Sequence, residues 1–370
     1  MHDGPCPKKQ PPARDRLAAL RTSYLVQGIG RSLLSRVRSD ILVRMEGSTG
    51  VIWSDARSAG RIASIVRDAG LRVLACGAAR PGEIDPSVSE SDIKVFDDLR
   101  ATLLSEKPTV FLLAAPSPDR SLDARTLGDL RSAGTRVLTC VAPSGGMMGA
   151  SEAGLLAESG GALPVSAFRL VPRIRRHPAF VRAEDVLEAF GRADVVTVEA
   201  FCPPAWGGLS AALPLAIDAV LTVFGTPELA DAAATTPAKK LDELSGTLAA
   251  LLRFPDGRAG QISVSDRGAW GWRITLAGNE GRLTIRPSGF DWLGPDGAKR
   301  DDSRVDPGIG SHEGVLGAAL QAAASGAMSG EPGVDWIGVL STAEAVLLSS
   351  RTGQSESPAT LARASVGAGI

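Results

Sequence analysis

Apolar positions in this chain follow two rhythms, and the change from one to the other divides it. From Gly50 to about residue 140, short and almost wholly apolar runs alternate with stretches whose apolar residues fall three and four apart. Val51-Ile52-Trp53 is followed by Ile62, Ile65, Val66 and Ala69, which share one helical face ahead of a Gly70 stop. Segments 71–76, 93–96, 109–115 and 136–140 repeat the strand pattern, with helices expected over 98–105 and 122–133. Runs this apolar leave no face for water. They predict a parallel sheet covered by helices on both sides, with ligands beyond the carboxyl ends of its strands.

The second half reads differently. Segments 195–199, 247–254, 260–265, 272–276 and 282–285 are strand-like, and Pro255-Asp-Gly257 and Asn279-Glu-Gly281 supply tight-turn residues between them. The expected organisation is an α/β domain over 50–150, then an α+β domain with a large, mostly antiparallel open sheet over 151–354. Residues 1–15 read as a disordered tail, 16–49 as an Arg-rich amphipathic helical extension, and 355–370 as a C-terminal tail.

Composition narrows the function classes. Among 370 residues, 40 basic and 41 acidic side chains give a net charge of -1, without the basic excess of a phosphate-gripping nucleic-acid binder. Hydrophobic residues at 44% and charged residues at 22% suit an ordinary soluble globular protein. Cys6, Cys76, Cys140 and Cys202 are far apart, as are His2, His177 and His312, so no metal site is expected. The polar, Pro-rich start shows no secretory h-region, and no apolar run approaches bilayer length. A cytoplasmic protein without nucleic-acid or membrane partners is the expectation.

Several segments then carry a family resemblance. Ile93-Lys-Val-Phe-Asp-Asp-Leu-Arg-Ala-Thr-Leu-Leu104 resembles a short strand and "D-L-E-E-L-L" helix. Thr109-Val-Phe-Leu-Leu-Ala-Ala-Pro-Ser-Pro118 resembles "D-A-V-I-I-A-T-P-P", and Ala133-Gly-Thr-Arg-Val-Leu138 resembles "A-G-K-H-V-L". Ala216–Pro227, Phe254–Gly257, Leu276–Gly281 and Ser350–Gly353 add matches in order over residues 50 to 354. Together they resemble the glucose–fructose oxidoreductase, inositol dehydrogenase and rhizopine-catabolism group, Gfo/Idh/MocA. The resemblance implies a Rossmann domain holding NAD(P) and a sheet domain that shapes a substrate pocket and an oligomer interface. A homodimer through that second sheet is the expected assembly.

The functional positions of that group are largely replaced. Its G-x-G-x-x-G loop, which lets backbone approach a pyrophosphate, aligns with Asp55-Ala-Arg-Ser-Ala-Gly60, where Gly60 alone remains. A carboxylate about 5 Å from a phosphate charge costs roughly 3 kcal/mol at an effective dielectric near 20. The ribose-binding acid is replaced by Gly77. The E-K-P lysine is replaced by Ala142, and the H-x-x-D histidine by Leu215, with Asp218 kept. Neither Ala142 nor Leu215 can move a proton. Arg57, Gly60, Arg80 and Pro116 stand as the nucleotide-contact candidates, Arg80 being placed for a 2′-phosphate. His177 and Asp218 are the catalytic candidates, and Arg176, His177 and Trp206 the substrate candidates.

Another frame sets Gly28-Ile-Gly30 as the nucleotide loop with Asp55 on the ribose, at the expense of every later match. Ser144 in Pro143-Ser-Gly-Gly146 lacks a nucleophile elbow and reads as a turn. Trp270 and Trp272 share one strand face. Two functional readings follow. The first is a pseudo-oxidoreductase that has lost NAD(P) hydride transfer, uses no cofactor, and serves as a partner or regulatory subunit or as a cofactor-free catalyst in the old cleft. The second is an NADP-dependent oxidoreductase acting on a small sugar-like, carbonyl or imine substrate.

Overall fold

The structure, a computed structural model, describes residues 47–79, 81–84, 93–116, 122, 124–142, 168–307, 310–327 and 334–367. The N-terminal tail and extension (1–46), Gly28 and Gly30, Arg80 and Ser144 lie outside them.

The first sheet contains β1 (Thr49–Trp53), β2 (Arg72–Gly77), β3 (Lys94–Phe96), β4 (Val110–Leu113), β5 (Arg136–Thr139) and β6 (Phe168–Leu170). Its order is β3-β2-β1-β4-β5-β6 and every pairing is parallel. β1 is therefore central, and the loop after it opens at the point where strand order reverses, where an open α/β sheet takes its ligand. The 55–60 loop stands at this switch point. The helices α1 (Ala59–Asp68), α2 (Leu99–Glu106) and α3 (Ala124–Ser132) alternate with the strands. Ile62, Ala63 and Val66 bury one face of α1. The Asp98 carboxylate caps α2 by accepting the Ala101 N–H at 2.9 Å.

The second domain adds α4 (Pro178–Phe190), β7 (Ala193–Phe201), α5 (Gly208–Phe224), β8 (Leu229–Ala234), β9 (Thr247–Arg253), β10 (Ala259–Ser265), β11 (Gly271–Gly278), β12 (Gly281–Arg286), β13 (Gly289–Leu293) and β14 (Lys299–Arg304). They form an eight-stranded sheet ordered β14-β13-β12-β11-β7-β10-β9-β8, antiparallel except for β7–β10. One face is lined by Val196, Val198, Ile262, Val264, Ile274 and Leu276, all buried against helices, and α5 crosses it almost fully buried.

Three helices close the chain: α6 (His312–Ser325), α7 (Trp336–Thr352) and α8 (Pro358–Gly367). α6 returns to the first domain and packs on α1 and β4, with Gly317 close to Ile65. The first domain thus draws β6 and α6 from beyond residue 150. Within the expected C-terminal tail, Glu356 exchanges backbone hydrogen bonds of 2.8 and 2.9 Å with Ala230, and α8 packs on α7. Among the described residues no helix is long and apolar enough to cross a membrane.

The β12–β13 and β13–β14 turns test how tightly this sheet is specified. At Gly289 (φ +131°) a Cβ would collide with the Ser303 carbonyl, whereas at Gly297 (φ +77°) it would meet open space. Gly289→Ala is expected to cost about 2 kcal/mol or more from strain plus overlap, and Gly297→Ala about 1 kcal/mol from strain alone. Urea denaturation of the two variants checks the ranking.

Candidate functional site at the domain junction

The loop after β1 is bonded to itself. The Asp55 carboxylate accepts the Arg57 N–H at 2.9 Å, and the Asp55 carbonyl accepts both the N–H and the hydroxyl of Ser58 at 3.1 Å. In a dinucleotide loop, backbone amides at this bend and the helix N-terminus meet the pyrophosphate. Here a side-chain carboxylate holds the Arg57 amide. Gly60 lies in the first turn of α1, and Arg57 is exposed beside it.

The end of β2 is packed. A Cβ on Gly77, at the end of β2, would lie 2.5 Å from Cζ of Phe96, so the Phe96 ring fills the place from which an acidic side chain would project. Trp53, 1% exposed, sits beside that ring with centroids 5.9 Å apart, and its indole N–H donates to the Pro116 carbonyl at 3.0 Å. Pro116 is thus engaged by the β1 tryptophan.

At the carboxyl ends of β4 and β5 the second domain makes direct contact. The Ala142 N–H donates to the Ser210 carbonyl at 2.8 Å, and Gly207 (φ +98°) lies against Val141 and the Ala114 carbonyl. Ala142 and Leu215 are fully buried. Asp218, also buried, pairs with Arg175 at 3.3 Å. Burial pushes its carboxyl above the usual range, while Arg175 and, less strongly, Arg176 pull it back.

No protein-family model matches the sequence, and no curated protein matches it. Solved structures do. An oxidoreductase from Agrobacterium radiobacter, in complex with NAD+, L-tartaric acid and magnesium, superposes with a TM-score of 0.60 at 14% identity, over 85% of this chain and 99% of that one. A levoglucosan dehydrogenase in complex with NADH and levoglucosan gives 0.61 at 14%, over 84% and 99%. The myo-inositol 2-dehydrogenase of Lactobacillus plantarum gives 0.59 at 15%, over 84% and 99%. The fold is that of the Gfo/Idh/MocA oxidoreductases.

Within that Gfo/Idh/MocA fold, His177 does not present a free ring. It is 1% exposed and forms the N-cap of α4. Its Nδ1 accepts the Ala179 N–H at 3.1 Å, which leaves Nε2 to donate to the Gly310 carbonyl. The ring lies edge-on to Trp272 at 5.2 Å. With both nitrogens engaged inside the protein, its role is to start a helix.

The histidine at the junction is His312, at the start of α6. Nothing near it in sequence resembles a motif. Its ring lies 4.5 Å from that of Trp206, edge-on, and 5.2 Å from that of Trp270. Trp270 in turn lies 4.3 Å from the guanidinium carbon of Arg173. Arg61 of α1 pairs with Glu313 and stands 5.9 Å from the Trp206 ring. Trp206, a nominated substrate residue, is therefore brought into this cluster, while Arg176 lies on the Asp218 side.

Arg173 is the outlier. It is 1% exposed, its Nη2 donates to the Cys140 carbonyl at 3.4 Å, and its Nε and Nη1 have no hydrogen-bond partner. An ion buried without a countercharge costs several kcal/mol. The neighbouring thiols supply none: burial outweighs the pull of Arg173 and holds Cys202 up at about 11, and Cys140 is raised for the same reason. His312 Nε2 is also buried without a partner. Burial, then Arg173 and Arg61, lower the His312 pKa from 6.5 to about 3.

These depressed values set a pH dependence. His177 is lowered by burial and His312 by burial and two cations, so the unfolded chain takes up protons that the folded one refuses. Their contribution is complete above about pH 6.5 and is lost as pH falls toward the folded values. Urea stability is expected to decline between pH 7 and pH 4, and His312→Gln to flatten that slope; equal slopes would refute the assignment of His312.

Proposed function

We propose that this chain is a pseudo-oxidoreductase: a Gfo/Idh/MocA-type scaffold that does not carry out NAD(P) hydride transfer and uses its domain junction without a nucleotide, as a partner or regulatory subunit or as a cofactor-free catalyst. The observation that carries the reading is the Asp55 carboxylate on the Arg57 amide, an internal anion at the place where a nucleotide phosphate would need that donor. Three further features support it. Phe96 occupies the ribose-binding side of Gly77, Ala142 is buried against α5, and Leu215 is buried within it. Hydride transfer from an alcohol needs a positioned proton acceptor, and none of these residues is one.

A second reading, an NADP-dependent oxidoreductase on a small sugar-like, carbonyl or imine substrate, is favoured by one observation. Solved structures of this fold hold NAD+ or NADH. In that case exposed Arg57 would take over phosphate recognition. Under either reading a homodimer is proposed through the outer face of the second sheet, where Val195, Phe201 and Leu251 are each 40–44% exposed.

Calorimetric titration with NADPH and NADH separates the two. The pseudo-oxidoreductase reading expects no binding at millimolar nucleotide; a dissociation constant below about 50 µM, usual for working enzymes, overturns it. The double variant Asp55→Gly/Arg57→Gly is expected to gain nucleotide affinity, and a loss would instead mark Arg57 as a phosphate ligand.

A further inference from the structure

A groove opens on the first domain, away from the domain junction. α2 and α3 pack on each other, and between their carboxyl-terminal ends lies a cavity of about 400 Å³. Leu103 and Leu130, both buried, line it together with Leu104, Ala133, Lys107 and Asp129. Leu104 is 37% exposed, and among the described residues no other large apolar side chain of the first domain is as open.

The chain enters β1 beside this groove. α2 is followed by Lys107, Pro108 and Thr109, and Thr109 is tied to Thr49 at the start of β1, each backbone N–H donating to the other's hydroxyl at 3.2 Å. Thr135, just after α3, donates its hydroxyl to the Pro108 carbonyl at 2.6 Å. Two residues separate Lys107 from Thr109, a span of at most about 7 Å. The sequence ahead of β1 supplies a matching surface. Leu33, Leu34, Val37 and Ile41 fall three and four apart, which puts them on one face of a helix, with Arg31, Arg36 and Arg38 off that face. Such a stripe rises about 12 Å, the length of the eight-residue α2. Residues 42–46 join it to Gly47 and reach at most about 20 Å, enough to fold back on the groove. Residues 16–46 carry six arginines against two acids. At the groove they meet two helix carboxyl termini and the Asp129 carboxylate, which favour cations, offset in part by Lys107 and Arg131.

We propose that residues 31–41 form an amphipathic helix that docks, within the same chain, in the groove between α2 and α3, with Leu33, Leu34, Val37 and Ile41 on Leu103, Leu104 and Leu130. α2 and α3 end where β4 and β5 begin, so the groove stands at the amino ends of the strands, opposite the 55–60 loop. An extension held there adds a third helix to this face of the sheet and leaves the candidate site uncovered. The inference is independent of either reading of that site.

Hydrogen exchange on the full chain tests it. Amides of residues 31–41 are expected to exchange at least about tenfold more slowly than in an unfolded peptide, at a rate independent of protein concentration. Leu104→Glu, at an exposed position, is expected to abolish that protection while amides of β7 and β9 keep theirs. Absence of protection over 31–41, or protection that survives Leu104→Glu, overturns the proposal. Protection that grows with protein concentration also overturns it, since the groove's occupant is then a second copy. If Leu104→Glu does not fold, a cysteine pair decides. In a Cys6→Ser background, Leu33→Cys or Val37→Cys is combined with Ala133→Cys and oxidised. A disulfide within one chain in at least one pair supports the docking, and links between chains alone, or none, overturn it.

Discussion

Where the 203–208 turn meets the carboxyl ends of β4 and β5, the two domains approach so closely that a side chain cannot fit between them. Gly207 occupies that point at φ +98°, with Val141 where its Cβ would go, and Gly208 follows at φ +56°. Only glycine adopts this conformation and this proximity together without strain. Because the turn seats there, α5 begins directly under Ala142, and the Ala142 N–H reaches the Ser210 carbonyl. Cys202 and Trp206 are placed by the same contact, their sulfur and carbonyl 3.1 Å apart. Arg173 is held to β5 through Cys140. The geometry of the junction therefore follows from one backbone approach more than from any side chain within it.

Set against that constraint, the replacements around the β1 loop form a consistent set. In each, the side chain faces the protein. Asp55 spends its carboxylate on a backbone amide two residues on, a local turn contact worth on the order of 1 kcal/mol. Trp53 gives its N–H to Pro116, and Phe96 covers Gly77. Leu215 adds to a helix that is apolar nearly all round. A single such change is compatible with a nucleotide enzyme. Their coincidence is what the proposed pseudo-oxidoreductase reading rests on.

Much of this architecture was legible in the chain because burial writes itself as pattern. The first-domain strands are covered on both faces and so read as unbroken apolar runs; β7, β9 and β11 alternate and so read as one-sided strands. What escaped were elements whose stability comes from position. β14, Lys-Arg-Asp-Asp-Ser-Arg, is a charged edge strand held by its pairing with β13. β8 is alanine-rich and owes its place to β9 and α7. α8 is short, and nothing before it announces that Glu356 will bridge to Ala230. Site residues were harder. His177 and His312 are indistinguishable as letters, yet one ring is consumed by a helix cap and a carbonyl while the other lies between two tryptophans with its Nε2 buried and unpartnered. Only long-range packing separates them.

Arg173 stands apart among the molecule's arginines. Arg175 has the Asp218 carboxylate, and Arg136 reaches the carbonyls of Ala323 and Ala324 at the end of α6. Arg258 gives Nε to Asp256 and Nη2 to the Phe224 carbonyl, with its guanidinium over the Phe224 ring. Each of these ties two parts of the chain together. Arg173 is more deeply buried than any of them, yet leaves two nitrogens unmet. Stacking on Trp270 alone does not account for it, since an apolar side chain of similar length would pack on the indole without burying a charge. Its place beside β5 rests on the Cys140 carbonyl and the Trp270 ring, two contacts that hold the guanidinium in the junction and still leave Nε and Nη1 unmet.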